Sequence, residues 1–358
     1  CPDESVQREY LFAIAHDIKH FREKYPDITL LGFDIGGGTP TALSEKNFAL
    51  LMQIYQTAIS GLKMDDNYEP SIEGTFNTLS EQKLETMAKM GIHRLSLGVQ
   101  SSCNAVLSQH QRRNSSEAMM SSWLKKAWNK GIKKVNLDFM YGLKGQNEST
   151  IQQDLALIGR LQPQQVTLYE LRPNMISAEE AFTKEELYGQ YVHYFDGLIA
   201  MGYKSRFGQN TFSVDAADEG VSSYLRERML NGAAYKGFGM AAQSMSSSGI
   251  AYNVGKLESV PQKELRLEGY PEQFTYLLPS NELASKYMAV SAYNGSFSIN
   301  RLKDLGVSDN SLNEILDFCM GEGLLYKGNA DRVFVSRKGF VHYGALFSLF
   351  YPKSVIRS

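Results

Sequence analysis

The chain has 358 residues, 43% hydrophobic and 21% charged, enough for one large core and a smaller one. Its formal net charge of −2 offers no overall field to gather nucleic acid or an anionic membrane. No stretch reaches the roughly 18 consecutive apolar residues of a membrane span, and three scattered cysteines, Cys1, Cys103 and Cys319, argue against a secreted disulfide framework and favour a reducing cytoplasm.

Pro2-Asp3-Glu4-Ser5 is a helix-start signal, and apolar residues recur at helical spacing from Val6 to Phe21. The run Ile28–Ile35 reads as a buried strand. A glycine loop then leads to a helix at about 44–60. Strands follow near 68–73, 92–99, 134–139 and 165–171. Helices fall between and after them at 80–90, 115–130, 149–161 and 178–201, with a further candidate strand at 203–207. This alternation argues for the α/β class, a parallel sheet with right-handed crossovers, as a partial or complete parallel β/α barrel. A β/α unit opens with a strand and this pattern opens with a helix, so a first strand is expected upstream of Cys1. After residue 207 the alternation stops. Residues 208–280 form an extension rich in Gly, Ser and Tyr. Beyond it, helices at 281–293, 299–305 and 310–321, a hairpin of 323–326 with 332–335, and a last helix at 337–350 suggest a small winged-helix-like domain. The expected division is therefore 1–207, 208–280 and 281–358.

In parallel β/α folds the ligand lies at the carboxyl ends of the strands. Here those ends carry Gly36-Gly37-Gly38-Thr39, Glu73, Gln100, Asp138 with Tyr141-Gly142, and Tyr169-Glu170. Polar side chains inside apolar strands are costly to bury unless paired, so five such ends on one rim point to one polar ligand. Three successive glycines let backbone groups approach that ligand with no Cβ in the way. A phosphate loop is the weaker alternative, because neither a lysine after the glycines nor a GxGxxG spacing is present.

GGGTPT at 36–41, SIEGTFNTLSEQKLETMAKMGIHRLSLGVQS at 71–101 and VNLDFMYGLKGQNEST at 135–150 resemble the oxygen-independent coproporphyrinogen III oxidase family. That family includes radical-type heme chaperones, anaerobic heme-degrading enzymes and certain methyltransferases. VTLYELR at 166–172 and YKGFGMAAQSM at 235–245 are similar to further family segments. The resemblance implies a radical S-adenosylmethionine (SAM) enzyme that generates a 5′-deoxyadenosyl radical to act on a tetrapyrrole or similar extended substrate. A heme-binding chaperone without turnover and a radical SAM methyltransferase stand as alternatives. It implies SAM and a [4Fe–4S] cluster as cofactors, heme as a further candidate group, and an electron donor such as flavodoxin or ferredoxin. By matching position, Gly36, Gly37, Gly38 and Thr39 would contact the methionine part of SAM. Glu73 would reach its amino or ribose groups. Arg112 would pair its carboxylate, Asp138 would take the ribose hydroxyls, and Gln100 would complete the site.

Three departures stand out. The cluster motif CxxxCxxC is absent, so its cysteines are expected upstream of Cys1. Gly74-Thr75 follows Glu73 where relatives commonly carry x-Asp-Pro. Arg113 adjoins Arg112, which leaves the register open by one residue. Cys103, Cys319, His93 and His342 read as structural, and His110 as a solvated loop residue. Tyr224, Tyr235 and Tyr252, with Arg226, Arg228 and Lys236, suit either a tetrapyrrole face with propionate partners or ordinary packing. In the last domain basic and acidic residues interleave, so no basic stripe for nucleic acid emerges.

Overall fold

The computed structural model describes residues 3–171, 182–247, 249–255, 272–291, 294–328 and 330–351. In chain order the first elements are α1 (Glu4–Lys24), β1 (Thr29–Leu30), β2 (Phe33–Ile35), α2 (Glu45–Ile59), β3 (Lys63–Met64), β4 (Pro70–Gly74) and α3 (Glu81–Lys89). Next come β5 (Arg94–Gln100), α4 (Asn104–Gln109), α5 (Glu117–Asn129), β6 (Lys134–Tyr141), α6 (Glu148–Leu161) and β7 (Gln165–Glu170). They are followed by α7 (Lys184–Ala200), β8 (Thr211–Ser213), α8 (Ser223–Asn231), β9 (Gln243–Met245), β10 (Gly249–Asn253) and β11 (Glu272–Leu277). The helices begin where their caps dictate. Side chains of Asp3, Ser44, Ser80, Ser116, Asn147 and Thr183 each accept from a backbone N–H of the first turn.

The chain divides into two compact units, one of Cys1–Gly32, Leu43–Tyr68 and Tyr224–Ser358, the other of Phe33–Ala42 and Glu69–Ser223. Compactness thus groups the residues differently from a linear division at 207 and 280.

The second unit holds a six-stranded sheet of order β2-β4-β5-β6-β7-β8. The first five strands are parallel, and β8 runs antiparallel to β7. Each strand lies beside its predecessor, with no point where the order reverses. Right-handed crossovers then put the crossover helices of this unit on one face, and α3, α5, α6 and α7 do pack successively against one another. The sheet is open, with β2 and β8 as its edges, so the complete barrel is set aside in favour of the partial one. Two expected strands change. The run Ile28–Ile35 breaks at Leu31-Gly32 into β1 and β2, which pair in different sheets. At 203–207 only Lys204 forms a bridge, to Ser213 of β8, because positive-φ turns at Gly202 and Gly208 confine the segment. The expected start of the long helix at 178–181 lies outside the described residues.

One face of this sheet is apolar and the other polar. Ile72, Leu95, Leu97, Val135, Leu137, Phe139, Val166 and Leu168 are all buried. The alternate positions carry Asp34, Ser71, Glu73, Arg94, Ser96, Asn136, Asp138, Gln165 and Thr167, and the register sets them side by side: Asp34 beside Ser71, then Glu73, Ser96, Asn136 and Gln165 in one row, and Asp138 beside Thr167. A parallel sheet covered by apolar layers on both faces would read as continuous hydrophobic runs. This one alternates, with one apolar and one polar face.

In the first unit α1 and α2 run parallel. Asn47 at the start of α2 donates to the Glu4 carbonyl near the start of α1 at 3.0 Å, and Arg22 near the end of α1 donates to the Ala58 and Ser60 carbonyls at 2.6 and 2.9 Å. An antiparallel sheet of order β11-β10-β9, which no sequence pattern announced, lies in the extension. The last part builds a second core around Phe297, Leu302, Leu312, Leu316, Val333 and Phe347. Its three-stranded sheet joins the expected hairpin (325–327 with 332–335) to a third strand, 296–298. The expected last helix divides into Arg337–Phe340 and Tyr343–Ser348, the second starting at His342.

Candidate functional site

The glycine run leaves β2 and crosses the end of β4. Gly37 and Gly38 have φ of +74° and +55°, and a Cβ added at either would meet nothing within 4 Å, so the strip stays open on its outer side. Its inner side is closed by Glu73. The Gly37 N–H donates to Glu73 Oε2 at 3.1 Å, and a Cβ at Gly36 would come within 2.8 Å of the Glu73 carboxyl carbon. Thr39 starts the turn Pro40–Ala42 by accepting from the Ala42 N–H at 2.8 Å. Buried Lys83 then ties two turns together, donating to the carbonyls of Thr41 at 2.8 Å and Thr78 at 3.1 Å. Gly74, next to Glu73, leaves no room for a side chain: a Cβ there would come within 2.6 Å of Thr41 Oγ1.

On the neighbouring strands the polar face forms one network. Asp138 accepts from Ser96 Oγ at 3.0 Å and from Asn136 Nδ2 at 2.8 Å, and Asn136 in turn accepts from Thr167 Oγ1 at 2.9 Å. Asp34 accepts from Ser71 at 2.8 Å and Ser222 at 2.6 Å. Arg94 is buried and donates to Gln165 Oε1 at 2.8 Å. Burial pushes the Asp138 carboxyl up to about 6, against the pull of Ser96 and Arg94. Asp34 is raised for the same reason. The Tyr169 phenol is pushed up by burial of its hydroxyl end and then by the charges of Asp138 and Glu73.

Gln100 ends β5 in the left-handed region, at φ +69°, where the register with β6 slips by one residue. Non-glycine residues avoid this region at a cost of about 1–2 kcal/mol. The next two residues, anchored to α6, hold that strain in place. Asp154 of α6 is buried and accepts through Oδ1 from Ser101 Oγ at 3.1 Å, from Ser102 Oγ at 2.6 Å and from the Ser102 N–H, and through Oδ2 from Tyr194 OH at 2.5 Å.

The structure brings Gly36, Gly37, Gly38, Thr39, Glu73, Gln100 and Asp138 to the carboxyl ends of adjacent strands. Arg112 is not drawn into their network: it is exposed in the loop after α4, with its N–H bonded to the Leu107 carbonyl. The sequence reading placed Asn136 at the end of its strand and missed Asp34, Arg94 and Ser96. The period-two alternation Arg94-Leu95-Ser96-Leu97 and Asn136-Leu137-Asp138-Phe139 carries that signal. His110 accepts from the Lys144 N–H at 3.1 Å, so it anchors a loop. Cys103 packs with Val106, Leu143 and Leu171, and Cys319 lies in the second core.

Residues 8–158 match the radical SAM superfamily. Over 180 residues the chain is 29% identical to the heme chaperone HemW of Haemophilus influenzae, covering 49% of this chain and 46% of that protein. Over 181 residues it is 25% identical to the oxygen-independent coproporphyrinogen III oxidase of Salmonella typhimurium, covering 50% and 39%. These alignments span less than half the length of either relative. In three dimensions the chain superposes on the coproporphyrinogen III oxidase HemN of Escherichia coli with a TM-score of 0.78 at 19% identity, over 98% of this chain and 84% of that one. Residues 8–158 thus match a radical SAM domain, and the chain has sequence relatives among the HemW heme chaperones and oxygen-independent coproporphyrinogen III oxidases and shares the fold of HemN.

Proposed function

We propose that the polar rim of the open sheet binds SAM and that the protein acts on a tetrapyrrole or similarly extended substrate. The observation that carries this is the closure of a glycine strip by one carboxylate, Glu73, beside a second carboxylate, Asp138, on the same polar face. The radical SAM superfamily implies SAM and a [4Fe–4S] cluster, and the two groups fare differently against these residues. SAM fits. Its ammonium suits the exposed Glu73 carboxylate, its ribose diol suits the acceptors of Asp138, and its methionine part suits the open edge of Gly36–Thr39, with Gln100 bordering the site and Arg112 available to the carboxylate from its loop. The cluster does not find its ligands. Cys103 and Cys319 lie in different units, and no three His, Cys, Asp or Glu side chains converge among the described residues.

SAM held there would supply a 5′-deoxyadenosyl radical for hydrogen abstraction when given one electron, with methionine as the leaving group. This chain's own residues would bind and orient it. Glu73 holds the glycine strip and the ammonium together, Asp138 sets the ribose, and the strained Gln100 closes the rim. An electron donor of the flavodoxin or ferredoxin type completes the proposal. The full-length gene product, reconstituted anaerobically with iron and sulfide and supplied with reductant, should form 5′-deoxyadenosine. A protein with a filled cluster that forms none would remove the enzymatic reading. The HemW relatives favour a second reading, a heme carrier without turnover. Stoichiometric heme binding with no product would select it.

Gly36→Ala tests the rim directly. The added methyl would push the Glu73 carboxyl aside, so SAM affinity should fall about tenfold, roughly 1.4 kcal/mol. Equilibrium dialysis with labelled SAM reads this. Unchanged affinity would take Glu73 out of the site.

A further inference from the structure

In the first unit, away from the glycine rim in sequence, the cations Arg228 and Lys286 feel each other's charge, and among the described residues no carboxylate pairs with either. Arg228 on α8 lies over the Tyr235 ring at 4.6 Å from its centroid. Among the described residues its guanidinium donates to neutral acceptors, Tyr224 OH at 3.3 Å and Gln243 Oε1 at 3.5 Å. The nearest acid along the helix, Glu227, is already engaged by Arg226 at 3.1 Å and Asn231 at 2.5 Å. Among the described residues neither Arg228 nor Lys286 forms an ion pair. Burial and then the charge of Arg228 lower the Lys286 pKa, so the second cation stands within the field of the first.

Two donors here are also unused. Arg228 Nε and Tyr235 OH are both buried and, among the described residues, have no hydrogen-bond partner. A buried unsatisfied donor destabilises the fold, so such groups call for an explanation. Aromatic rings surround them. Tyr224 and Tyr235 meet edge-on at 5.7 Å, Gln243 donates to Tyr252 OH at 2.7 Å, and Tyr252 stacks on the half-exposed Phe274 at 5.0 Å. Charge, idle donors and flat apolar surface thus coincide in one place.

We propose that Arg228, Lys286 and Tyr235 form a binding site for a carboxylate carried on a flat aromatic molecule. The carboxylate takes the guanidinium and ammonium charges and the idle phenol donor, while its ring system lies against the tyrosines. The proposal deepens the tetrapyrrole reading, on which it rests only for the choice of one probe.

The test titrates the full chain, by fluorescence, with 1-pyrenebutyrate, with its uncharged counterpart 1-pyrenebutanol, and with mesoporphyrin IX. Wild-type protein should bind the acid at least about tenfold more tightly than the alcohol. Arg228→Gln and Lys286→Gln should each weaken pyrenebutyrate binding about tenfold and leave pyrenebutanol unchanged, and Arg228→Lys should restore part of the loss. Equal binding of acid and alcohol by the wild type overturns the site, and that comparison needs no variant to fold. Mesoporphyrin bound equally by wild type and a well-folded Arg228→Gln/Lys286→Gln variant also overturns it, while leaving the tetrapyrrole reading intact. Pyrenebutyrate following the expected pattern while mesoporphyrin fails to bind keeps the site and removes the tetrapyrrole reading.

Discussion

Replacing Asp154 by alanine should destabilise the protein by about 3 kcal/mol or more, the scale expected when several donors to one buried carboxylate lose their acceptor together. Asp154 is fully buried and takes four hydrogen bonds. Its two oxygens do different work. Oδ1 gathers Ser101 and Ser102, which come directly after Gln100. Oδ2 takes Tyr194 OH, which itself accepts from Gln146 Nε2 at 3.0 Å, and that same amide donates to the Met140 carbonyl at 3.0 Å. One aspartate on α6 thereby secures the loops after both β5 and β6. The alanine variant leaves the two serines and the Tyr194 phenol without an acceptor. Asp154→Asn keeps an oxygen for the serines and loses only the Tyr194 bond, so it should cost about 1 kcal/mol. Urea denaturation reads both. Equal losses in the two variants would mean that the site responds to charge rather than to hydrogen bonds. Gln100 holds its left-handed conformation only while the loop behind it is fixed, so a folded Asp154→Ala protein should also bind SAM more weakly.

The other large effect concerns Asp138. Its carboxyl sits at about 6 because burial outweighs Ser96, Arg94 and Asn136. A ribose diol donates to the carboxylate form. Binding therefore favours the ionised acid and expels a proton wherever the free group still holds one. SAM affinity should rise about tenfold per pH unit below pH 6 and level off above it. Calorimetry in buffers of different ionisation enthalpy should count close to one proton released at pH 5 and almost none at pH 8. Asp138→Asn should abolish the pH dependence, and Asp138→Ala should lower affinity by about a hundredfold at pH 8, roughly 2.7 kcal/mol for two charge-assisted hydrogen bonds. An unchanged pH profile in the asparagine variant would assign the proton elsewhere. In the ligand-free protein the sign reverses. The folded carboxyl holds its proton more tightly than an unfolded one with its ordinary value of 3.8, so stability falls as pH rises from about 4 to about 6.

The sequence by itself determined most of the elements and the strand ends on which the proposed site lies. Caps at Asp3, Ser44, Ser80 and Ser116 start helices locally, and the strand ends carrying Gly36–Thr39, Glu73, Gln100 and Asp138 result from β/α alternation, because both signals depend only on near neighbours. Only the tertiary structure decided that the sheet stays open, since closure depends on whether edge strands far apart in sequence pair. Only it split Ile28–Ile35 between two sheets, and only it joined β9, β10 and β11, whose partners are set by long-range pairing and not by any local period. The polar face was half visible. Its period-two pattern lies in the sequence, but that Asp34 meets Ser222 and that Asp154 reaches back to Ser102 depends on register between strands and helices. Register sums many weak contacts across the fold, and no local stretch of residues contains it.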